Sequence, residues 1–286
     1  MLDHFLWSVI LAPALIVAVA LPAVDRMPPA RAAAVLSWSA VGVAVASTIN
    51  LTLFTIKAFA QPPATESRLD ASVSWLAVAL LAASVVAVVR AFRGYRVALA
   101  TASGFAVLPA DRQVVVVDDA LPEAYSIEGP PARIVVTTGM RDLLDPRQYQ
   151  ALLAHEREHL QGRHHRLVRM AGLAAAAHPL LRVLAARVGY LVERAADERA
   201  AAHVGDRHSV AFAIGAAALA GAGRGSGLHL AARQGVVPRR VRELLQPRTH
   251  RLRRGYLLLP VIPAVASLIW TVEATRDLVE VLHVAG

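Results

Sequence analysis

His155, Glu156 and His159, in the run His155-Glu156-Arg157-Glu158-His159, are residues whose types and spacing could do chemistry together. In a helix, positions four apart share a face, so both imidazoles project toward one point. Two imidazoles placed this way can hold two corners of a tetrahedral zinc site. Glu156, on the adjacent surface, is placed to take a proton from a water activated by the metal. The pattern fixes three positions in five, and chance produces it on the order of a few times per hundred sequences of this length. Its weight therefore comes from its surroundings.

A hydrolytic zinc site takes three protein ligands and leaves one position open. The 286 residues include no cysteine, which excludes disulfides, cysteine nucleophiles and thiolate sites. Any metal must be held by histidine and carboxylate. Glu193, in Glu193-Arg194-Ala195-Ala196-Asp197, is the candidate third ligand. Asp197 follows one turn later on the same face, where it can accept a hydrogen bond from a ligating histidine and fix its tautomer. The competing reading is a solvated face on which Glu193, Arg194, Asp197, Glu198 and Arg199 make ordinary i,i+4 pairs. The upstream motif favours the ligand. Among the other histidines, His164 and His165 read as basic surface at a membrane face, and His178, before Pro179, as structural. His203 and His208 flank a turn after the Glu193 helix and could approach the metal. His4, His229, His250 and His283 have no partner visible in sequence.

The elements that must position these groups are partly legible. The motif helix has a clean start: Asp145 as N-cap, Pro146 at the first position and Gln148 where a capping-box partner belongs. It is expected to run to about Gly162, preceded by a short helix or turn over Gly139 to Leu144. Gln113 to Asp118 and Arg133 to Thr138 read as short strands, with a break at Glu128-Gly129-Pro130-Pro131 between them. Leu167 to Ala202 reads as helix with a break at His178-Pro179, and Ser209 to Ala222 as a buried, alanine-rich helix.

The chain is 56% hydrophobic and 18% charged, with a mean hydropathy of +0.48. Soluble domains run about 45–50% apolar and about 25% charged. The surplus sits in four long uncharged runs that read as membrane spans: Phe5 to Val24, Ala32 to Ile56, Ala71 to Val89 and Tyr256 to Val272. The first lacks the basic flank and cleavage site of a secretory signal and reads as uncleaved. The net charge of +9 is mostly arginine beside these runs, without basic stripes interleaved with aromatics, so no nucleic-acid partner is expected. Arg26 and Arg31, then Arg90, Arg93 and Arg96, and finally Arg248, Arg251, Arg253 and Arg254 all lie on one side of the four spans. The 61–70 loop on the other side is nearly neutral. The positive-inside rule then puts the N-terminus outside and residues from about 90 to 255 in the cytoplasm. Three units follow: 1–96 with three spans, 97–255 as a cytoplasmic domain, and 256–286 with the fourth span and a short outer tail.

These residues resemble a family. HExxH followed by ExxAD is similar to the pattern of gluzincin membrane peptidases, including the HtpX-like and CAAX-prenyl proteases. The closer resemblance is to the BlaR/MecR-type antirepressor peptidases, metallopeptidase family 56. It is carried by Arg133-Ile134-Val135-Val136-Thr137-Thr138-Gly139, Ala151 to Arg166, Glu193 to Asp197, and the four-span layout. The resemblance implies a mainly α membrane protein with four transmembrane helices and a cytoplasmic α+β gluzincin-type zinc peptidase domain between spans three and four. It makes His155, His159 and Glu193 the zinc ligands, Glu156 the catalytic base and Asp197 the aspartate behind the ligands. It places the strand near Arg133 to Thr138 where zincins hold an extended substrate at a sheet edge. Val237-Pro238-Arg239-Arg240-Val241 loosely resembles a segment that supplies an arginine near the site, making Arg240 an oxyanion-stabiliser candidate. The antirepressor sensors carry a penicillin-binding domain after the last span. This sequence ends about a dozen residues beyond that span, so no β-lactam sensor is expected.

The expected function is hydrolysis of peptide bonds in a cytoplasmic or membrane protein, such as a transcriptional repressor, by a zinc endopeptidase in the lipid bilayer. The alternatives are an HtpX-like quality-control protease with the same chemistry, and a non-catalytic membrane signalling module. The intact ligand set disfavours the module. Sequence leaves the oligomeric state open.

Overall fold

The computed structural model describes residues 2–60, 67–103, 113–129, 131–222, 236–246 and 255–285. Most of the 61–70 loop, Pro130, Arg248, Arg251, Arg253, Arg254, His229 and His250 lie outside them, as does the side chain of His283. Two compact units form: residues Met1–Arg96, Leu167–Val188 and Arg251–Gly286 in one, Val97–Arg166 and Gly189–His250 in the other.

The first unit contains helices long and apolar enough to cross a membrane. Four such stretches occur among the described residues: Asp3–Val24, Pro29–Ala60, Arg68–Ala100 and Gly255–Glu280. The first joins Leu2–Phe5, a π-helical Leu6–Leu11 and Ala12–Val24, together α1. The others correspond to α2 (Pro29–Ala60), α3 (Arg68–Ser103) and the helices over Gly255–Leu258 and Val261–Ala285. Even the shortest stretch, 22 residues, is about 33 Å long at 1.5 Å per residue, against a hydrocarbon core of about 30 Å. Pro13 has no N–H to give the carbonyl of Val9, one turn back. His178 serves that carbonyl instead, its Nε2 lying 2.9 Å from it. This is the structural role expected for His178. Within the same unit, Asn50 donates to the Thr271 hydroxyl at 2.8 Å, and His4 Nε2 lies 2.8 Å from the Asp277 carboxylate.

The second unit is a small sheet under helices. Its strands are β1 (Val114–Val117), β2 (Ala124–Ile127) and β3 (Arg133–Thr137), in the order β1-β3-β2. β1 runs parallel to β3 and β2 antiparallel to it, with Val115 and Tyr125 both opposite Val135. The β-branched runs at β1 and β3 are strands as expected. β2 is absent from the sequence reading because four residues after Pro122 show no clear alternation, and pairing with β3 stabilises them. The sheet order also overturns the expectation that the Arg133 to Thr138 strand is an edge. β3 is the central strand, buried along its whole length, and β2 is an edge lying against the motif helix.

Helices follow as α4 (Thr138–Leu143), α5 (Pro146–Gln161), α6 (His164–Ala177), α7 (Arg182–Val204), α8 (Arg207–Ala222) and α9 (Val236–Leu245). The chain ends in α10 (Gly255–Leu258) and α11 (Val261–Ala285). A 3₁₀ turn at Pro179–Leu181 breaks α6 from α7, where His178-Pro179 predicted it. The start of α5 is the predicted capping box. Asp145 accepts from the backbone N–H groups of Arg147 and Gln148 at 2.8 and 2.9 Å, and the Gln148 side chain accepts from Asp145 N–H at 3.1 Å. α8 is less buried than its alanine content suggests, since Phe212 and Leu219 are exposed. One core layer joins Ile134 and Val136 of β3 to Met140, Leu152 and Ala213. A second joins Ala151 and Ala154 of α5 to Ala200 and Ala201 of α7, Val210 and Leu244. Small side chains from both α5 and α7 thus share one cluster.

Candidate metal centre

His155 and His159 project from α5, and Glu193 from α7. Their ligand atoms all lie within 4.8 Å of one another. The two Nε2 atoms are 3.1 Å apart, His159 Nε2 is 3.5 Å from Glu193 Oε1, and His155 Nε2 is 3.8 Å from Glu193 Oε2. Tetrahedral zinc, with bonds of about 2.0–2.2 Å, sets its donors about 3.3 Å apart. The three donors match that spacing and ligand chemistry. Charge supports the same conclusion: Glu156, Glu193 and Asp197 bring three carboxylates here against the single guanidinium of Arg240, an excess a divalent cation offsets.

The carboxylate one turn beyond Glu193 is where the ExxAD spacing puts it. Asp197 is fully buried, and its Oδ1 lies 3.1 Å from His155 Nδ1. Burial pushes the Asp197 carboxyl up, but hydrogen bonds from Arg240 and His155 outweigh it and hold it at about 2. Burial likewise disfavours protonated His155, yet contact with Asp197 and the charges of Glu193 and Glu156 raise its pKa. This spot attracts positive charge. His159, with only Glu193 to raise its pKa, is held neutral by burial and by His155, at about 4.

Glu156 sits beside the ligand set without joining it. Burial raises its pKa, as does the charge of Glu193, while His155 and hydrogen bonds from the Ser126 hydroxyl and backbone lower it. The net upward shift moves a carboxylate toward the neutral range that suits a general base. Ser126 belongs to β2, so the edge strand touches the candidate base directly. Sequence reasoning missed this contact because it missed the strand.

Arg240 arrives from α9, and both its position and its partners are now defined. Nε and Nη2 donate to the two oxygens of Asp197 at 2.9 and 2.7 Å, and Nη1 lies 2.7 Å from Glu193 Oε2. It clamps both carboxylates of α7. An ionic network fastens α9 and α8 to α7: Arg194 pairs with Glu243 and Glu198, Arg207 of α8 with Glu198, and Arg239 with Glu243 while stacking over the Tyr190 ring. This network delivers Arg240 to the site. Burial raises the Glu193 carboxyl, but Arg240 and the two imidazoles hold it below the ordinary range, leaving the carboxylate ionised.

Two expectations about the remaining histidines change. His164 is buried, with Nδ1 3.2 Å from His159 Nδ1, and is not a surface residue; His165 pairs with Glu128. The spacing that signals this is a histidine directly after a Gly-x turn closing the motif helix. His203 and His208 are exposed, and neither belongs to the ligand cluster among the described residues. His208 lines a separate surface cleft with Gly205, Arg207 and Leu245.

No curated protein and no solved structure matches the chain. The model of Peptidase family M48 matches residues 95–245, more than half of the 286, and spans the sheet, the motif helix, Glu193, Asp197 and Arg240. The antirepressor resemblance implied family 56, so its narrower form is not carried by this match. The chain belongs to Peptidase family M48, which makes it a metalloprotease.

Proposed function

We propose that the protein is an integral-membrane zinc endopeptidase that cuts a cytoplasmic or membrane protein. The observation that carries this is the convergence of His155, His159 and Glu193, backed by Asp197 and flanked by Glu156 and the β2 edge. Zinc held there supplies a polarised water and a Lewis acid for the scissile carbonyl. Glu156 accepts the proton of the attacking water and passes it to the leaving amine. Arg240, whose Nη1 lies beside Glu193, is the candidate donor to the oxyanion through the second hydrogens of its two Nη groups. Treating the full-length protein with a chelator should abolish cleavage of a random peptide library, and stoichiometric zinc should restore it. Cleavage that continues after metal removal would exclude the metallopeptidase reading.

Substrate is held extended along β2. Glu123 accepts from the N–H of Thr137 on β3 at 3.0 Å, so by alternation Ala124 turns its backbone groups to the free edge, while the Ser126 N–H on the same side donates to Glu156. A peptide can add there as a further strand. Ala124→Pro removes one outward donor, a substitution tolerated on an edge. It is expected to raise KM about tenfold, one hydrogen bond's worth, and to leave kcat nearly unchanged. An unchanged KM would place the substrate elsewhere.

Membrane placement rests on the four apolar helices and on their outward side chains. On α3, Leu76, Val85 and Phe92 are each about half exposed. Such a surface is suited to lipid. The arginine distribution supports an outer N-terminus and a cytoplasmic catalytic unit. A regulatory substrate, of the transcriptional-repressor type, rests on the family resemblance. The match to M48 favours a second reading, quality control of membrane proteins. Comparing proteomes of cells carrying wild-type protein and Glu156→Gln separates them. One cytoplasmic regulator spared from cleavage supports the first, and many stabilised membrane proteins the second.

A further inference from the structure

We infer that His164 is a positioning residue for the metal centre: its Nδ1 accepts the hydrogen bond that fixes the tautomer and orientation of His159. The inference rests on the reading of His155, His159 and Glu193 as a zinc site. His155 Nδ1 has the Asp197 carboxylate at 3.1 Å. His159 needs an equivalent, because a ligating imidazole swings and shifts its proton unless its second nitrogen is held. Among the described contacts, that nitrogen faces His164, with Nδ1 to Nδ1 at 3.2 Å and the rings perpendicular, 89° apart.

The proton assignment follows from the geometry. His159 directs Nε2 toward His155 and Glu193. For Nε2 to offer its lone pair to a metal, the ring proton must sit on Nδ1. His159 Nδ1 is then the donor across the 3.2 Å contact, and His164 Nδ1 the acceptor. The backbone is shaped for this contact. Arg163 adopts φ +49, a left-handed conformation uncommon outside glycine, and turns the chain back under α5. A Cβ on Gly162 would lie 2.5 Å from His164 Nε2, so only glycine leaves room for the ring. His165, paired with Glu128, ties the same turn to the end of β2. A strained residue, a bare glycine and a buried imidazole at consecutive positions serve one contact with a ligand. The two ligands thus differ in what stands behind them: a carboxylate behind His155 and a neutral ring behind His159.

The test uses the full-length protein in lipid nanodiscs. Zinc affinity is measured by competition with a chelating dye, and the visible absorption of the cobalt-substituted protein reports ligand geometry. His164→Leu is expected to weaken zinc binding 10–100-fold, roughly the loss known for such partners, and to shift the cobalt bands. His164→Asn places an acceptor oxygen close to the position of Nδ1 and is expected to stay within about threefold of wild type, with its cobalt spectrum retained. Wild-type affinity and spectrum in His164→Leu would overturn the inference, as would an Asn variant no better than Leu. If His159→Ala loses metal while His164→Leu does not, only the role of His164 fails. If the wild-type protein takes up no metal, the zinc reading fails and the inference with it.

Discussion

Glu156→Gln is expected to lower the rate of peptide cleavage by about 10²–10⁴-fold while zinc remains stoichiometric. The two halves of this result have separate causes. Glu156 is not one of the three converging residues that could hold the metal, so the metal should stay. Glutamine has the same shape, and its carbonyl oxygen can still accept the hydrogen bonds that Ser126 makes to Glu156. What it cannot do is take a proton. Burial shifts the carboxyl of Glu156 upward, which suits it to that task, and among the described residues no other carboxylate at the site is uncommitted. Asp197 is committed to Arg240 and His155, and Glu193 faces the metal position. Metal analysis beside single-turnover rates checks both halves. Cleavage at the wild-type rate would remove Glu156 as the base.

Asp197→Ala is expected to cost about 3–5 kcal/mol of stability, as breaking a buried ion pair does, and to weaken zinc binding about 10–100-fold. Arg240 makes two hydrogen bonds to Asp197, at 2.9 and 2.7 Å, in a fully buried setting. Removing the carboxylate leaves the guanidinium with Glu193 as its ion-pair partner among the described residues and takes away the group opposite His155 Nδ1. The expected fall in Tm is on the order of 10 °C for a unit of this size. The pH dependence has a definite sign. The Asp197 carboxyl sits at about 2 in the folded chain against an ordinary 3.8. Its contribution is therefore complete above about pH 4 and declines as pH falls toward about 2. The gap between wild type and variant should narrow over that window. Equal stability and zinc affinity at neutral pH would mean that the Asp197–Arg240 pair does not organise the site.

The parts of this protein that its sequence determined are those governed by neighbours along the chain. Asp145 and Gln148 cap α5 within four residues of each other. His155, Glu156 and His159 share a face because a helix repeats every 3.6 residues. Glu193 and Asp197 are legible for the same reason, and the four apolar helices follow from composition over about twenty residues. The helices extend past the expected ends, for instance through Arg90, Arg93 and Arg96 in α3, because arginine is a good helix former and apolarity alone sets no boundary.

What only the tertiary structure decided depends on groups distant in sequence. β2 exists because β3 pairs with it, and β2 rather than β3 is the edge because β1 takes β3's other side. Arg240 meets Asp197 across 43 residues, and His4 meets Asp277 across 273; no local pattern marks either pair. His164 is the instructive case. Its sequence neighbours, Arg163, His165 and Arg166, suggest a basic surface. The left-handed turn at Arg163 folds it back onto His159 instead. Secondary structure follows from short-range sterics and hydrogen bonding, whereas burial and partnership of a polar side chain depend on where the backbone next turns.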